Sequence, residues 1–392
     1  MPRLAFFVLL LTLIAAQTGC QGMSSETTIS DPSGDADGSF DWNVPKGTPL
    51  PVVPDDNPVT EEKFQLGRHL FYDVRLSGNG TKSCSSCHLQ HLAFSDGVAR
   101  PSGSTGQMHP RNSQALVNVT YFPTLNWANT ATTRLELQIP VPLTGDDPIE
   151  LGVNETNSEE VLDRFRQDER YQQLFADAYP DEEDPYDFHN IIYALATFVR
   201  GLNSFNSDYD RYQQGDSNAL TESAKRGMNL FNGERLECFH CHEGITFSNA
   251  YRDRTQQRPV PIEFFNNGLY NLDANGSYPE GGEGLFDITQ KWSDMGKFRP
   301  PSLRNVELTA PYMHDGSKAT LEEVVAHYAA GGTVTEFGPN AGDGRSNPNK
   351  ASEIVSFDIT EAEVNDLVNF LKSLTDHDFI NNPRFSNPFL EE

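Results

Sequence analysis

Two short stretches of this 392-residue chain combine cysteine and histidine at a spacing that does specific chemistry: Cys84-Ser85-Ser86-Cys87-His88 and Cys238-Phe239-His240-Cys241-His242. Two cysteines three positions apart can form thioethers with the two vinyl groups on one edge of a haem. The adjacent histidine then lies beneath the iron as its proximal ligand. Zinc is another common use of such a pair, but it needs further ligands, and the only other cysteine is Cys20. The pattern therefore predicts two covalently bound haem c groups, the first on Cys84, Cys87 and His88 and the second on Cys238, Cys241 and His242.

Each motif needs elements to position it, and both are preceded by a similar run. Gly67, Leu70, Phe71 and Leu76 stand before the first; Gly227, Leu230, Phe231 and Leu236 stand before the second. Thr60 and Thr221 are N-cap candidates for the short amphipathic helices that carry these residues. Helical periodicity recurs at Val161, Leu162 and Phe165 after Ser158, and at Ile192, Leu195, Val199 and Leu202. Thr320 with Glu323 and Thr360 with Glu363 read as capping boxes for helices over 321–330 and 364–374. Alternating strand patterns are scarce, and Pro and Gly punctuate long connections, as expected where flat cofactors replace much of a side-chain core. The expected fold is all-α: two cytochrome c-like haem domains with long connecting loops, spanning 46–210 and 211–392.

The N-terminus begins Met1-Pro2-Arg3 and continues as an apolar run over 4–16, too short to span a bilayer. Residues 1–20 read as a secretory signal peptide. Thr18-Gly19-Cys20 resembles a lipobox, in which Cys20 becomes the lipidated first residue, although Gln17 stands where Leu is usual. An ordinary cleaved signal is the alternative. Residues 21–45, acidic and rich in Gly and Ser, suit a flexible tether. The expected location is the periplasm of a Gram-negative bacterium, free or held at the membrane by the lipid. With 29 Lys+Arg against 56 Asp+Glu, the formal net charge of -27 repels nucleic acid and attracts basic partners.

Three segments carry a wider resemblance. LGRHLFYDVRLSGNGTKSCSSCH over 66–88, CFHCH over 238–242 and FRPPSLRNVELTAPYMHDGSKATLEEVV over 298–325 together resemble the bacterial dihaem cytochrome c peroxidase and MauG superfamily. The resemblance implies that hydrogen peroxide reacts at the first haem and that the second relays electrons. It assigns Gln138, Pro142 and Glu150 to the open side of the first iron. There a carboxylate can carry a proton from the near to the far peroxide oxygen. Standing alone, Glu150 is one acidic residue among many. Many of these peroxidases block the first iron with a histidine, whose position here is Ser104. His91 and His109 are the nearby substitutes, and a permanently five-coordinate iron is the simpler expectation. Trp127 falls where the family has a tryptophan between the haems, although a core tryptophan closing a loop is the competing explanation. The Asn112 side chain and the carbonyls of Thr309 and Pro311 match the family's Ca²⁺ site.

The sixth ligand of the second iron separates subgroups. Electron-accepting peroxidases place Met fourteen residues beyond the His of the HDG motif, and that position, counted from His314, is Tyr328. A phenolate lowers the reduction potential whereas Met raises it, and Tyr is the pattern of the MauG and MbnH type. His327, Met295 and Met313 are the alternatives. The implied function is a peroxide-dependent oxidation of a periplasmic partner protein with a basic or polar docking face, with equivalents shared through Trp127. A conventional peroxidase fed by a small cytochrome c or copper protein is the second reading. A dihaem electron carrier without catalysis is the third.

Overall fold

The computed structural model describes residues 40–256 and 261–390, so the signal segment, Cys20 and most of the tether lie outside it. Thr60 caps the first helix as expected: its hydroxyl accepts the Lys63 N–H, and α1 (Glu61–Tyr72) follows. Beyond the first cysteine motif come α2 (Leu135–Gln138), α3 (Pro140–Thr144), α4 (Ser158–Arg166), α5 (Glu169–Ala178) and α6 (Phe188–Arg200). Then come α7 (Asp208–Gln213), α8 (Glu222–Phe231), α9 (Phe286–Thr289), α10 (Leu321–Ala329), α11 (Glu361–Lys372) and α12 (His377–Asn381). Among the described residues the only sheet is a two-residue antiparallel ladder, β1 (Val334–Thr335) with β2 (Gly342–Asp343). The protein is therefore largely helical, with long irregular connections.

The internal repeat has a packing cause. α1 crosses α6 and α8 crosses α11. At the first crossing a Cβ on Gly67 would lie 2.0 Å from the Ala194 carbonyl oxygen; at the second, a Cβ on Gly227 would lie 1.9 Å from that of Asp366. Only glycine permits either approach. Phe71 then meets Phe198 with ring centroids 5.0 Å apart, and Phe231 meets Phe370 at 5.2 Å. Each pair anchors its own apolar cluster, one including Phe64, Phe94 and Phe165, the other Phe247, Leu367 and Leu371. The C-terminal stretch returns to the first cluster, where Phe379 and Phe385 are buried and the Arg68 Nε donates to the Ser386 carbonyl at 2.7 Å. All described residues belong to a single compact unit.

Three local expectations shift. Ser158 is the first residue of α4, with Asn157 at the cap, and Leu202 lies past the end of α6. The Thr320 hydroxyl caps α10, but the Glu323 carboxylate accepts the Ala319 N–H at 2.7 Å, so that capping box is incomplete. The Thr360–Glu363 box is complete.

At four residues α2 is too short to hold itself, and a buried ion pair fixes it. Glu136 accepts from Arg200 Nη2 at 2.7 Å, Asn57 Nδ2 at 2.7 Å and Arg134 Nε at 3.2 Å. The Arg200 and Glu136 side chains are 2% and 4% exposed. Burial alone would raise the Glu136 pKa, but Arg200 and Asn57 hold it below the ordinary value. A depressed carboxylate adds stability that is present above its unfolded pKa and is lost as pH falls through the folded one. Glu136→Gln strands the Arg200 charge, so it is expected to cost about 3–5 kcal/mol. A fall in the urea midpoint at neutral pH checks this; an unchanged midpoint would contradict it.

Candidate active site

The two cysteine motifs form matching 3₁₀ turns, Cys84–Ser86 and Cys238–His240. His88 Nδ1 lies 2.7 Å from the Phe94 carbonyl oxygen and His242 Nδ1 lies 3.0 Å from that of Phe247. A carbonyl only accepts, so Nδ1 carries the proton in each ring and Nε2 keeps a free lone pair. Burial lowers both histidine pKa values, which keeps the rings neutral, as a metal ligand must be. Phe94 and Phe247 reach these positions with left-handed φ values of 60° and 52°. Such conformations cost about 1–3 kcal/mol each and are retained where surroundings enforce them. Cys84, Cys87, Cys238 and Cys241 are all unpaired.

Each motif opens into a cavity far larger than the water-sized voids of a packed interior. The first, about 1520 Å³ with the solvent at its mouth, is lined by Cys84, Cys87 and His88 together with Gln138, Pro142 and Glu150. The Gln138 Oε1 is buried there without a hydrogen-bond partner among the described residues. Burial raises the Glu150 carboxyl to about 7. Ser104 stands where a blocking histidine would fall, and its N–H donates to the Glu150 carbonyl at 2.7 Å. His91 is exposed and lies off the cavity, whereas His109 lines it.

The second cavity, about 1850 Å³ with the solvent at its mouth, is lined by Cys238, Cys241, His242, Met313 and Tyr328. His327 is not part of this lining; its Nδ1 lies 2.7 Å from the Thr333 hydroxyl. Adjacent helical residues point about 100° apart, which separates the two side chains. Met295 is buried in another cluster, with Leu269, Tyr270 and Tyr278. The Met313 sulfur accepts from Asn267 Nδ2 at 3.5 Å. Burial pushes the Tyr328 hydroxyl up to about 12, while a hydrogen bond from Asn267 opposes the rise.

Trp127 lines both cavities. Its Nε1–H donates to the Asn112 carbonyl at 2.8 Å, and its ring meets Phe298 edge-on at 6.4 Å. Arg299 shares this wall: its N–H donates to the Trp127 carbonyl at 2.9 Å and its guanidinium lies 4.0 Å from the Phe122 ring centroid. Arg299 is 2% exposed, and burial lowers its pKa to about 9.

Comparison with known proteins places the chain in a family. The family model for di-haem cytochrome c peroxidase matches residues 61–218. Cytochrome-c peroxidase IdrP1 of Denitromonas iodatirespirans is 34% identical over 89% of this chain and 90% of its own length. The methylamine utilization protein MauG of Methylorubrum extorquens is 31% identical, covering 92% of this chain and 90% of its own. This chain belongs to the dihaem cytochrome c peroxidase and MauG family. A crystal structure of a MauG-like protein associated with microbial copper homeostasis is 51% identical, with a TM-score of 0.88 over 90% of this chain and 100% of that one.

As a member of this family the chain is a dihaem c-type oxidoreductase, and its residues fit haem. The unpaired cysteines, the neutral histidines with a free Nε2 and two large cavities are what two thioether-linked haems require. At the expected calcium position, Asn112 uses Nδ2 to donate to the Val98 carbonyl at 2.8 Å, which leaves Oδ1 as a free acceptor. The carbonyls of Thr309 and Pro311, which with Asn112 line the second cavity, accept no hydrogen bond among the described residues. Arg299, Asn267 and the His109–Glu150 approach are features that residue spacing does not single out. Among the described residues no helix is long and apolar enough to cross a membrane.

Proposed function

We propose that this protein takes oxidising equivalents from hydrogen peroxide at the first cavity and uses them, shared with the second, to oxidise a partner protein. The observation that carries this reading is Tyr328 beside His242 in the second cavity, with His327 turned away to Thr333. Bound haem supplies the iron that receives peroxide and its oxidising equivalents. Glu150 takes the proton from the near peroxide oxygen and returns it to the far one, a role suited to a carboxyl with a pKa near 7. Gln138, with its unpartnered Oε1, orients the peroxide O–H, and Pro142 narrows the approach. Trp127 joins the two sites through a shared wall. Arg299, whose guanidinium donates to Gln114 Oε1 at 2.8 Å and to the Pro300 carbonyl at 3.2 Å, would supply a cation to the anionic groups of a haem held in either cavity.

The Asn112 Oδ1 and the Thr309 and Pro311 carbonyls would hold Ca²⁺, with waters completing its shell. Residues 46–210 and 211–392 each carry one cytochrome unit, a reading supported by the paired glycine crossings, except that the stretch with Phe379 and Phe385 packs into the first cluster. The chain is exported to the periplasm, with lipid at Cys20 as its anchor. Its net charge of -27 favours a partner with a basic face. Likeness to the MauG-like protein associated with copper homeostasis supports a partner from that system.

Intact mass after acid denaturation should show two haem additions, and Cys238→Ala with Cys241→Ala should leave one. The finer reading is tested by adding equimolar peroxide. The resulting absorption change should persist and be discharged by the partner protein, with little turnover of a reduced small cytochrome c. Rapid, repeated turnover of the cytochrome would make the protein a conventional peroxidase.

A further inference from the structure

The loop between the first cysteine motif and Asn112 folds back on itself. Ser102 and Met108 form an isolated bridge; the Gly103 N–H donates to the Gln107 carbonyl at 2.9 Å and the His109 N–H to the Pro101 carbonyl at 2.8 Å. This hairpin is sewn to the segment that carries Glu150. The Ser104 N–H donates to the Glu150 carbonyl at 2.7 Å, and the Ile149 N–H to Gln107 Oε1 at 2.8 Å. The two backbones meet so closely that a Cβ on Gly103 would lie 1.7 Å from the Ile149 carbonyl oxygen. A histidine is thereby held in the cavity wall beside the carboxylate, with His109 Nε2 3.8 Å from Glu150 Oε1. A small side-chain rotation or one bridging water closes that distance.

The other ring nitrogen decides what His109 can do. Its Nδ1 lies 3.1 Å from both the N–H and the carbonyl oxygen of Arg111. The N–H supports Nδ1 as acceptor and puts the proton on Nε2; the carbonyl supports the opposite tautomer. His109 can therefore donate to the Glu150 carboxylate or accept from its acid form. Hydrogen bonds to the charged form are the stronger of the two. The other charged groups around the pair are Lys82 and Arg299 in the cavity wall, with Arg111 and Asp96 beside His109. Arg111 is itself paired with Asp287.

We propose that His109 is a positioning residue for Glu150: it steadies the carboxylate that removes the peroxide proton and so sets the pH above which the site reacts. This rests on the reading of Glu150 as the proton-transfer group. The test uses the haem-loaded protein, following the peroxide rate constant from about pH 5 to about pH 9 and, by infrared titration, the carboxylic-acid band that Glu150→Gln removes.

His109→Phe should move both inflections up by about one pH unit, slowing the reaction about tenfold below the inflection and leaving the rate at high pH unchanged. His109→Gln, which keeps a donor, should restore most of the shift. Unmoved inflections in His109→Phe, or a loss equal at every pH, would overturn the proposal while Glu150→Gln remained slow. A wild-type rate in Glu150→Gln would instead overturn the reading of Glu150, and the dyad with it.

Discussion

Replacing Glu150 with Gln is expected to slow the reaction with hydrogen peroxide by about 10²- to 10⁴-fold, the usual contribution of general acid–base catalysis. The amide keeps the shape and length of the side chain and loses the exchangeable proton. Burial raises the Glu150 carboxyl to about 7, so near neutral pH the acid and its conjugate base are both populated. Removing the peroxide proton needs the ionised form. The wild-type rate should therefore rise with pH through about 7 and level off above it, and the variant should show a low rate without that inflection. Stopped-flow mixing with peroxide measures both. The first haem should also be high-spin in the ferric protein before any reduction, because Ser104 offers no imidazole and His109 is directed to Glu150 by the hairpin. A wild-type rate in the variant would make Glu150 structural. An all-low-spin ferric spectrum would bring His109 back as a ligand.

What could be read from the chain alone depended on how local each signal was. The proposed haem attachment residues lie within five consecutive positions, so their pattern is legible from spacing alone. The helices of the repeat were visible from Thr60, Thr221 and their apolar faces. The reason for the repeated glycine was not, since Gly67 and Gly227 are dictated by helices more than a hundred residues further along the chain. Capping signals placed the start of α10 and the cap of α11, which begins at Glu361 directly after Thr360 and three residues before the expected 364; whether Glu323 returned to Thr320 or to Ala319 depended on the local turn. Glu150 became readable only through family resemblance. Its raised pKa comes from burial and its backbone is held by a hairpin some forty residues earlier, neither of which leaves a mark in its immediate sequence. Arg299 and Asn267 were not singled out for the same reason: an arginine or an asparagine acquires a role when other segments enclose it.

The largest spectroscopic effect is expected at the second haem. Tyr328→Phe should abolish the low-spin ferric signal of a histidine–phenolate pair and the persistence of the peroxide-induced absorption change, while His327→Ala should leave both in place. The two residues adjoin on α10, yet only Tyr328 shares the cavity with His242. A free phenol so enclosed, with its pKa at about 12, would stay protonated at neutral pH; a ferric ion held beside it would favour the ionised form and offset the burial of its charge. An anionic oxygen ligand would lower the potential of that haem relative to a Met ligand, as the proposed holding of oxidising equivalents for a partner requires. Asn267, hydrogen-bonded to the Tyr328 hydroxyl and to the Met313 sulfur, engages the sulfur that would otherwise be the alternative ligand. Electron paramagnetic resonance of the two ferric variants is the deciding measurement. If His327→Ala removes the low-spin signal and Tyr328→Phe retains it, the second haem is bis-histidine and the protein-oxidising assignment gives way to a conventional peroxidase or an electron carrier.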